Sequence, residues 1–314
     1  MRIVIAGGTG LIGRALVGAL VDDGHDAVVL TRRPAGADAA SLPAGASAAV
    51  WDPASPAGSW TSALVGADAL VNLAGTNVGT RPWTPSRRRE IMDSRMRATS
   101  TLVAAMAALP AGDRPRAFVC ASGVDYYGDR GDEELVEASS PGDPAASFLA
   151  AVCERWEAAA AEAESAGVRV VRMRTGLVLA RSALALRLLA LPFRLFAGGR
   201  TGSGRQWVSW VHMDDVVGLY ARAAADPALN GAVNLVAPSP VRNAELAAAI
   251  GRTLRRPTWL PQPAPLLRLA MRGQSELLLA SRRVLPRAAL AAGYDFTRPE
   301  LEPALAEALG RAAG

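Results

Sequence analysis

Three glycines at positions 7, 10 and 13 constrain this chain more than any other feature. Gly7-Gly8-Thr9-Gly10-Leu11-Ile12-Gly13 follows the apolar run Ile3–Ala6 and opens a helical pattern over Leu11–Asp22. Strand, glycine turn and helix in that order begin a parallel βαβ unit. The first glycine permits a tight turn, the second lets the backbone approach a pyrophosphate, and the third lets the helix close on the sheet. The helix N-terminus then offers free N–H groups and a positive dipole to an anion. Gly7, Thr9, Gly10, Leu11, Ile12 and Gly13 are therefore expected to hold the diphosphate of a dinucleotide. A glycine-rich turn without a ligand is the bland alternative.

The chain beyond the loop keeps alternating. Apolar runs at Ala27–Leu30, Ala48–Trp51, Ala69–Leu73, Ala117–Ala121 and Arg169–Met173 read as strands. Arg87–Ala108 and Ser147–Ser165 read as helices. Continuous rather than alternating hydrophobicity predicts strands buried on both faces. The expected fold is α/β: a Rossmann-like, doubly wound parallel sheet with a smaller, mainly helical C-terminal substrate module. A strand over Trp207–Val211, a helix from Asp214 or Asp215 and a strand over Ala232–Val236 return to the sheet. The cofactor domain is thus expected over 1–175 and 207–237, and the substrate module over 176–206 and 238–314.

The second strand ends in Thr31-Arg32-Arg33, where a carboxylate would accept from the ribose 2′-hydroxyl of NAD. Two guanidinium groups suit a 2′-phosphate instead and leave a hydroxyl without an acceptor. NADP(H) is the expected cofactor, with a solvated surface pair of arginines the bland alternative.

The net charge of +5 and pI near 10.0 come from scattered arginines, with no block longer than Arg87–Arg89. A diffuse positive field suits anionic small molecules at least as well as nucleic acid, and no nucleic-acid partner is expected. All 34 basic residues are arginine. Cys120 and Cys153 form no CxxC pair and the histidines number two, so no metal site is expected. The first apolar run is too short for a signal peptide, and Arg187, Pro192 and Arg194 interrupt the most apolar later stretch. A cytoplasmic protein with no membrane partner is expected.

Several motifs carry a family resemblance. Ile5–Gly13, Asn72-Leu73-Ala74-Gly75 and Val211-His212-Met213-Asp214-Asp215-Val216 resemble the extended short-chain dehydrogenase/reductase superfamily, which includes the NAD(P)-dependent epimerases and dehydratases. Ser122–Asp129, Phe148-Leu149 through Trp156-Glu157, Gly202–His212 and Gly293–Phe296 resemble its 39U subfamily, whose members are labelled epimerase family proteins. The resemblance implies an NADP-binding domain and a small C-terminal module. It also implies that Leu73, Ala74, Gly75, Ala121 and Thr175 face the cofactor, and it leaves a homodimer open.

The resemblance breaks at the chemistry. The superfamily uses a tyrosine and a lysine four residues later, the cation lowering the phenol's pKa. Aligned on Glu157, those positions are Leu149 and Cys153, and no lysine exists elsewhere. A helix-borne Cys153 reads as a buried thiol. Ser122 falls where the superfamily's catalytic hydroxyl sits, and Tyr126 and Tyr127 follow on the ligand side of the sheet. These three are the catalytic candidates, with the two tyrosines as plain pocket walls the alternative. Arg81, Trp83, Arg205, Gln206 and Trp207 are the substrate-binding candidates, since arginine and tryptophan can hold an anionic or planar group. His212 reads as structural, and Asp214 or Asp215 as a helix cap. Three functions remain open: an NADP(H)-dependent oxidoreductase on a small substrate, a sugar-nucleotide epimerase or dehydratase, and a non-catalytic NADP(H) sensor or interaction protein.

Overall fold

The alternation of apolar strand and amphipathic helix folds as a doubly wound sheet. The computed structural model describes residues 1–32 and 42–310; Arg33, one of the two arginines expected to meet a 2′-phosphate, lies outside the described residues. In chain order come β1 (Arg2–Ala6), α1 (Leu11–Asp22), β2 (Asp26–Thr31), β3 (Ser47–Val50), β4 (Ala69–Asn72), α2 (Pro85–Ala108) and β5 (Ala117–Gly123). Next are β6 (Glu134–Leu135), α3 (Phe148–Ala161), β7 (Arg169–Thr175), β8 (Leu177–Leu179) and α4 (Leu184–Arg194). Then follow β9 (Trp207–Val208), β10 (Trp210–His212), α5 (Met213–Ala225) and β11 (Gly231–Leu235). The last part holds β12 (Val241–Arg242), α6 (Asn243–Leu254), α7 (Ala264–Met271), α8 (Glu276–Leu279), β13 (Arg283–Val284), α9 (Arg287–Ala291) and α10 (Leu301–Ala308).

Seven strands form one parallel sheet in the order β11-β7-β5-β4-β1-β2-β3. The winding reverses between β1 and β4, where an open α/β sheet leaves a crevice at its carboxyl ends. Ile3 and Ile5 of β1 pack with Leu16 and Leu20 of α1 and Leu219 of α5. Val4 and Ala6 face the other way, toward Leu102 of α2 and Trp156 of α3. This two-sided burial is why the strands read as continuous apolar runs. A third cluster joins Leu186 and Phe193 of α4 to Ile250 of α6 and Leu305 of α10.

Three local expectations are corrected. The helix read over 147–165 ends at Ala161 and finishes as a tighter turn through Ala166, before Gly167 at φ 75°. The late strand is two strands, β9 pairing with β12 and β10 with β8. The two pair with different partners, so the run divides at Ser209, whose hydroxyl donates to Arg282 O at 2.8 Å and accepts from Val284 N at 2.9 Å. Neither Asp214 nor Asp215 caps α5. His212 does, its Nδ1 accepting from Asp214 N at 3.3 Å. Asp215 is fully buried and accepts from Thr297 N (2.7 Å) and Arg298 N (3.0 Å), which ties the C-terminal segment to α5. Among the described residues, no helix is long and apolar enough to cross a membrane.

Candidate functional site

The glycine loop has the geometry of an anion cradle. Gly7 turns at φ 82°, a region side chains rarely adopt, and a Cβ there would lie 2.7 Å from the Leu73 carbonyl carbon. A Cβ on Gly13 would lie 2.3 Å from Gly7 O, so α1 can approach the loop only through glycine. Gly10 begins α1 with no side-chain cap, and no acidic residue stands in the first turn. The first amides of α1 are therefore free for an anion. Thr9, Leu11 and Ile12 surround them with partial or full exposure. Arg14, unremarked in the sequence, donates Nε to Thr9 O at 2.7 Å and adds an exposed cation beside the loop. Arg32 is exposed immediately after Thr31 at the end of β2.

Across the crevice, β4 ends at Asn72. Its Oδ1 accepts from Ala74 N at 3.1 Å, and its amide donates to Thr99 Oγ1 at 2.9 Å, which holds the Leu73-Ala74-Gly75 turn. Arg95 of α2 lies under this turn: a Cβ on Gly75 would be 3.2 Å from its guanidinium carbon. Arg95 donates to Thr76 O (3.0 Å) and stacks 4.9 Å from the Trp156 ring centre. Burial lowers its pKa, opposed by the fields of Cys153 and Asp125. Leu149 and Cys153, at the positions of the superfamily's tyrosine and lysine, are both buried. Burial pushes the Cys153 thiol up to about 12, so it holds its proton at neutral pH, as does Cys120 at about 12. The cation that α3 lacks is brought near Cys153 by α2.

The catalytic candidates separate. Ser122 is buried and donates to Glu157 Oε1 at 2.7 Å. Glu157 also receives a two-pronged bond from Arg174, Nε to Oε1 and Nη2 to Oε2, each 2.8 Å. Tyr127 belongs to the same network and is a structural residue. It is fully buried, donates to Asn234 Oδ1 at 2.7 Å and receives from Arg174 at 2.8 Å, and burial pushes its phenol up to about 12. Its expected role as a site acid is corrected on that ground: its hydroxyl has no free face. Tyr126 is half-buried, with Arg174 3.5 Å from its ring centre. Its hydroxyl makes no hydrogen bond among the described residues. Ala121 lies on β5 opposite Met173, and Thr175 ends β7 opposite Gly123, both at the carboxyl end of the sheet.

A cavity of about 540 Å³ opens beside this end, between the 128–147 segment and the last helices. Ser147, Arg268, Glu276 and Arg282 line it. Arg282 connects it to the sheet, with Nη2 3.0 Å from Asp125 Oδ1. That contact is an ion pair by distance, without the alignment of a hydrogen bond. Asp125 in turn sits beside Gly123 and Cys153. Glu276 accepts from Leu149 N (3.1 Å) and Ser147 Oγ (3.4 Å), and burial raises its pKa. Its folded value lies above its unfolded value, so the associated stability is present at acid pH and is lost as pH rises through the folded pKa. Glu276→Gln should remove that fall from the pH profile of the melting temperature; an unchanged profile would assign it to another group.

The substrate candidates do not line this cavity. Trp83 is buried, donates to Val78 O at 2.8 Å and packs edge-on against Phe148 at 5.2 Å. Gln206 is buried with its amide on Thr201 O (2.9 Å) and Leu278 O (3.0 Å), a tie that positions α8. Trp207 is held between Arg242 and Arg283, with Nε1 on Asp132 at 3.1 Å. Arg81 and Arg205 are exposed and use their carbonyls to accept from Gln274 and Arg242. The indole N–H groups of Trp83 and Trp207 and the amide N–H groups of Gln206 already have partners within the protein. Glu276 and Arg282 follow a proline-rich stretch with no motif, 127 residues from Leu149 and 154 from Gly128, the residues they bond, and nothing in the sequence marks them. His212, Asp214 and Glu307 gather ligand-type atoms within 4.8 Å, but Arg298 donates to Glu307 at 2.8 Å and lies 3.7 Å from Asp214. A guanidinium thus stands against both carboxylates.

A parallel sheet with this reversal, a glycine cradle at α1 and a helical C-terminal part defines a dinucleotide-binding α/β protein. The chain belongs to the NAD-dependent epimerase/dehydratase family, whose model matches residues 3–235, while a domain of unknown function matches residues 262–308. It is 38% identical over 313 residues to the Bos taurus epimerase family protein SDR39U1, covering 98% of this chain and 100% of that one. A chloroplastic SDR39U1 homolog of Arabidopsis thaliana is 37% identical over 97% of this chain and 86% of its own length. The crystal structure of human SDR39U1 with NADPH superposes with a TM-score of 0.85 at 35% identity, covering 98% of this chain and 99% of that one. A structure described as a nucleoside-diphosphate sugar epimerase, from Corynebacterium glutamicum, gives 0.76 at 36% identity over 98% of this chain and 58% of that one.

Proposed function

We propose that this chain binds NADP(H) and is an oxidoreductase acting on a small carbonyl or alcohol compound. The observation that carries the reading is the Gly7–Gly13 cradle with Arg32 at the end of β2. The human relative crystallised with NADPH supports it. The free amides of α1 would hold the pyrophosphate, Arg32 and Arg33 the 2′-phosphate, and Ala74-Gly75 the inner ribose. When bound, the nicotinamide supplies or takes the hydride.

The residues of this chain would do the rest. Residues 1–175 and 207–237 would form the cofactor half, with the remainder closing the cavity. Ser122, with its proton on Glu157, would only accept from a substrate hydroxyl, whereas Tyr126, whose hydroxyl makes no hydrogen bond among the described residues, is the group that would donate to a substrate oxygen. Glu276, protonated to higher pH than an ordinary carboxyl, could give it a proton. Arg95 would supply the positive field that lysine supplies elsewhere. A sugar-nucleotide epimerase is the second reading, favoured by the description of the C. glutamicum structure. It is ranked lower because Leu149 and Cys153 leave no tyrosine–lysine pair on α3.

The test is titration of the cofactor-stripped protein with NADPH and NADH, for the native chain and Arg32→Asp. The native chain should prefer NADPH, and Arg32→Asp should erase about tenfold or more of that preference, since an exposed charge-assisted phosphate bond contributes roughly 1.5–3 kcal/mol. Binding of neither cofactor would end this reading. With a turned-over substrate in hand, Tyr126→Phe at full rate would exclude Tyr126 as the acid.

A further inference from the structure

Thirteen large apolar side chains are left exposed among the described residues, and eight of them lie in two segments, 188–196 and 259–269. The segments are neighbours. Trp259 Nε1 donates to Phe196 O at 3.0 Å, Leu260 N donates to Gly198 O at 3.1 Å, and Thr201 bridges Gln262. Leu188 and Leu191 on the outer side of α4 and Leu195 at its C-cap recur at helical spacing, while Leu186, Ala190 and Phe193 face inward. α7 starts two residues after Gln262, has no buried residue, and presents Leu266 and Leu269 one turn apart. Leu195, Trp259 and Leu269 are 67%, 66% and 78% exposed. A lone exposed leucine needs no explanation, but a contiguous band does.

The backbone holds this band in unusual conformations. Phe196 (φ 61°), Arg255 (φ 53°) and Arg272 (φ 50°) are the non-glycine residues at positive φ among the described residues; Phe196 ends the first segment, and the other two flank the second. Glycine would relieve each of them. At position 196 the chain instead presents a phenyl ring with the Arg256 guanidinium 4.4 Å from its centre. Strain kept on an exposed aromatic points to a use for that side chain.

The charge around the band has one sign. No Asp or Glu occurs between Glu164 and Asp214, or between Glu245 and Glu276. Arg187, Arg194, Arg255, Arg256 and Arg268 are exposed there and have no carboxylate partner among the described residues. Arg252, on the adjoining turn of α6, is by contrast paired with Glu302 at 2.6 Å.

We propose that this face docks on an anionic bilayer surface. The leucines, Phe196 and the Trp259 indole enter the boundary between headgroups and acyl chains, and the ring of arginines meets lipid phosphates. The contact is interfacial and needs no spanning segment. A second copy of the chain fits less well, because a symmetric contact would bring the same unpaired arginines together.

The test is flotation of the full chain with phosphatidylcholine vesicles, with and without one third phosphatidylglycerol. The chain should float with the anionic vesicles only, and high salt should weaken this about tenfold by screening the arginines. The double variant Leu195→Gln/Leu269→Gln should lose about tenfold or more of the binding, with its NADPH titration and melting curve unchanged. Absence of flotation by the native chain, equal flotation with neutral vesicles, or undiminished flotation of the variant would overturn the proposal. So would a dimer, seen by light scattering, that the double variant splits, since the face would then belong to a second copy.

Discussion

Gly13→Ala should lower NADPH affinity by about a hundredfold. The new methyl would lie 2.3 Å from Gly7 O and 2.6 Å from Gly8 Cα, both backbone atoms with no rotamer to yield. Either α1 tilts off the sheet or the loop opens, and both move the amides that would meet the pyrophosphate. Overpacking of this kind costs roughly 1–3 kcal/mol, and the upper part of that range is about a hundredfold in binding. Gly10→Ala is the matched comparison, because its methyl would stand 3.3 Å from Gly7 O and a small shift accommodates it. Fluorescence titration of both variants, alongside their melting curves, separates a damaged cradle from a damaged fold. Unchanged affinity in a folded Gly13→Ala protein would show that the cofactor does not use this loop.

The second large effect concerns stability. Glu157→Leu should cost about 3–5 kcal/mol, because it leaves the Arg174 guanidinium buried without its carboxylate. Glu157 and Arg174 are each about 5% exposed or less, and Ser122 would lose its acceptor as well. Arg174 would keep only the Tyr127 hydroxyl and the Glu137 carbonyl. Adding Arg174→Met removes the orphaned charge, so the double variant should recover a large part of the loss. Denaturant unfolding of the two singles and the double closes the cycle. A double variant as unstable as the sum of the singles would mean that the pair does not act as a unit.

This ion pair also shows why the tyrosines could not be told apart from the sequence. Tyr126 and Tyr127 are adjacent, share composition and leave the same strand. Asn234 and Arg174 hold the Tyr127 hydroxyl inside, while the Tyr126 hydroxyl makes no hydrogen bond among the described residues. Arg174 belongs to β7, nearly fifty residues further on. The same holds for Trp83, Gln206 and Trp207, whose indole and amide N–H groups are donated to neighbouring backbone and side chains. A residue type shows what a side chain can bind, and only its neighbours show whether that capacity is spent.

The sequence alone determined the sheet, the glycine cradle and the missing tyrosine–lysine pair. The first two rest on local pattern, apolar runs that burial on both faces demands and glycines at a tight turn; the third rests on the family resemblance and on an alphabet without lysine. The tertiary structure decided what stands around that frame. Arg95 reaches the site from α2, Glu276 and Arg282 come from the far end of the chain, and two separate segments join into one apolar, arginine-edged face. These are contacts between residues far apart in sequence, set by the closure of the sheet and the docking of the last helices, and no local periodicity records them.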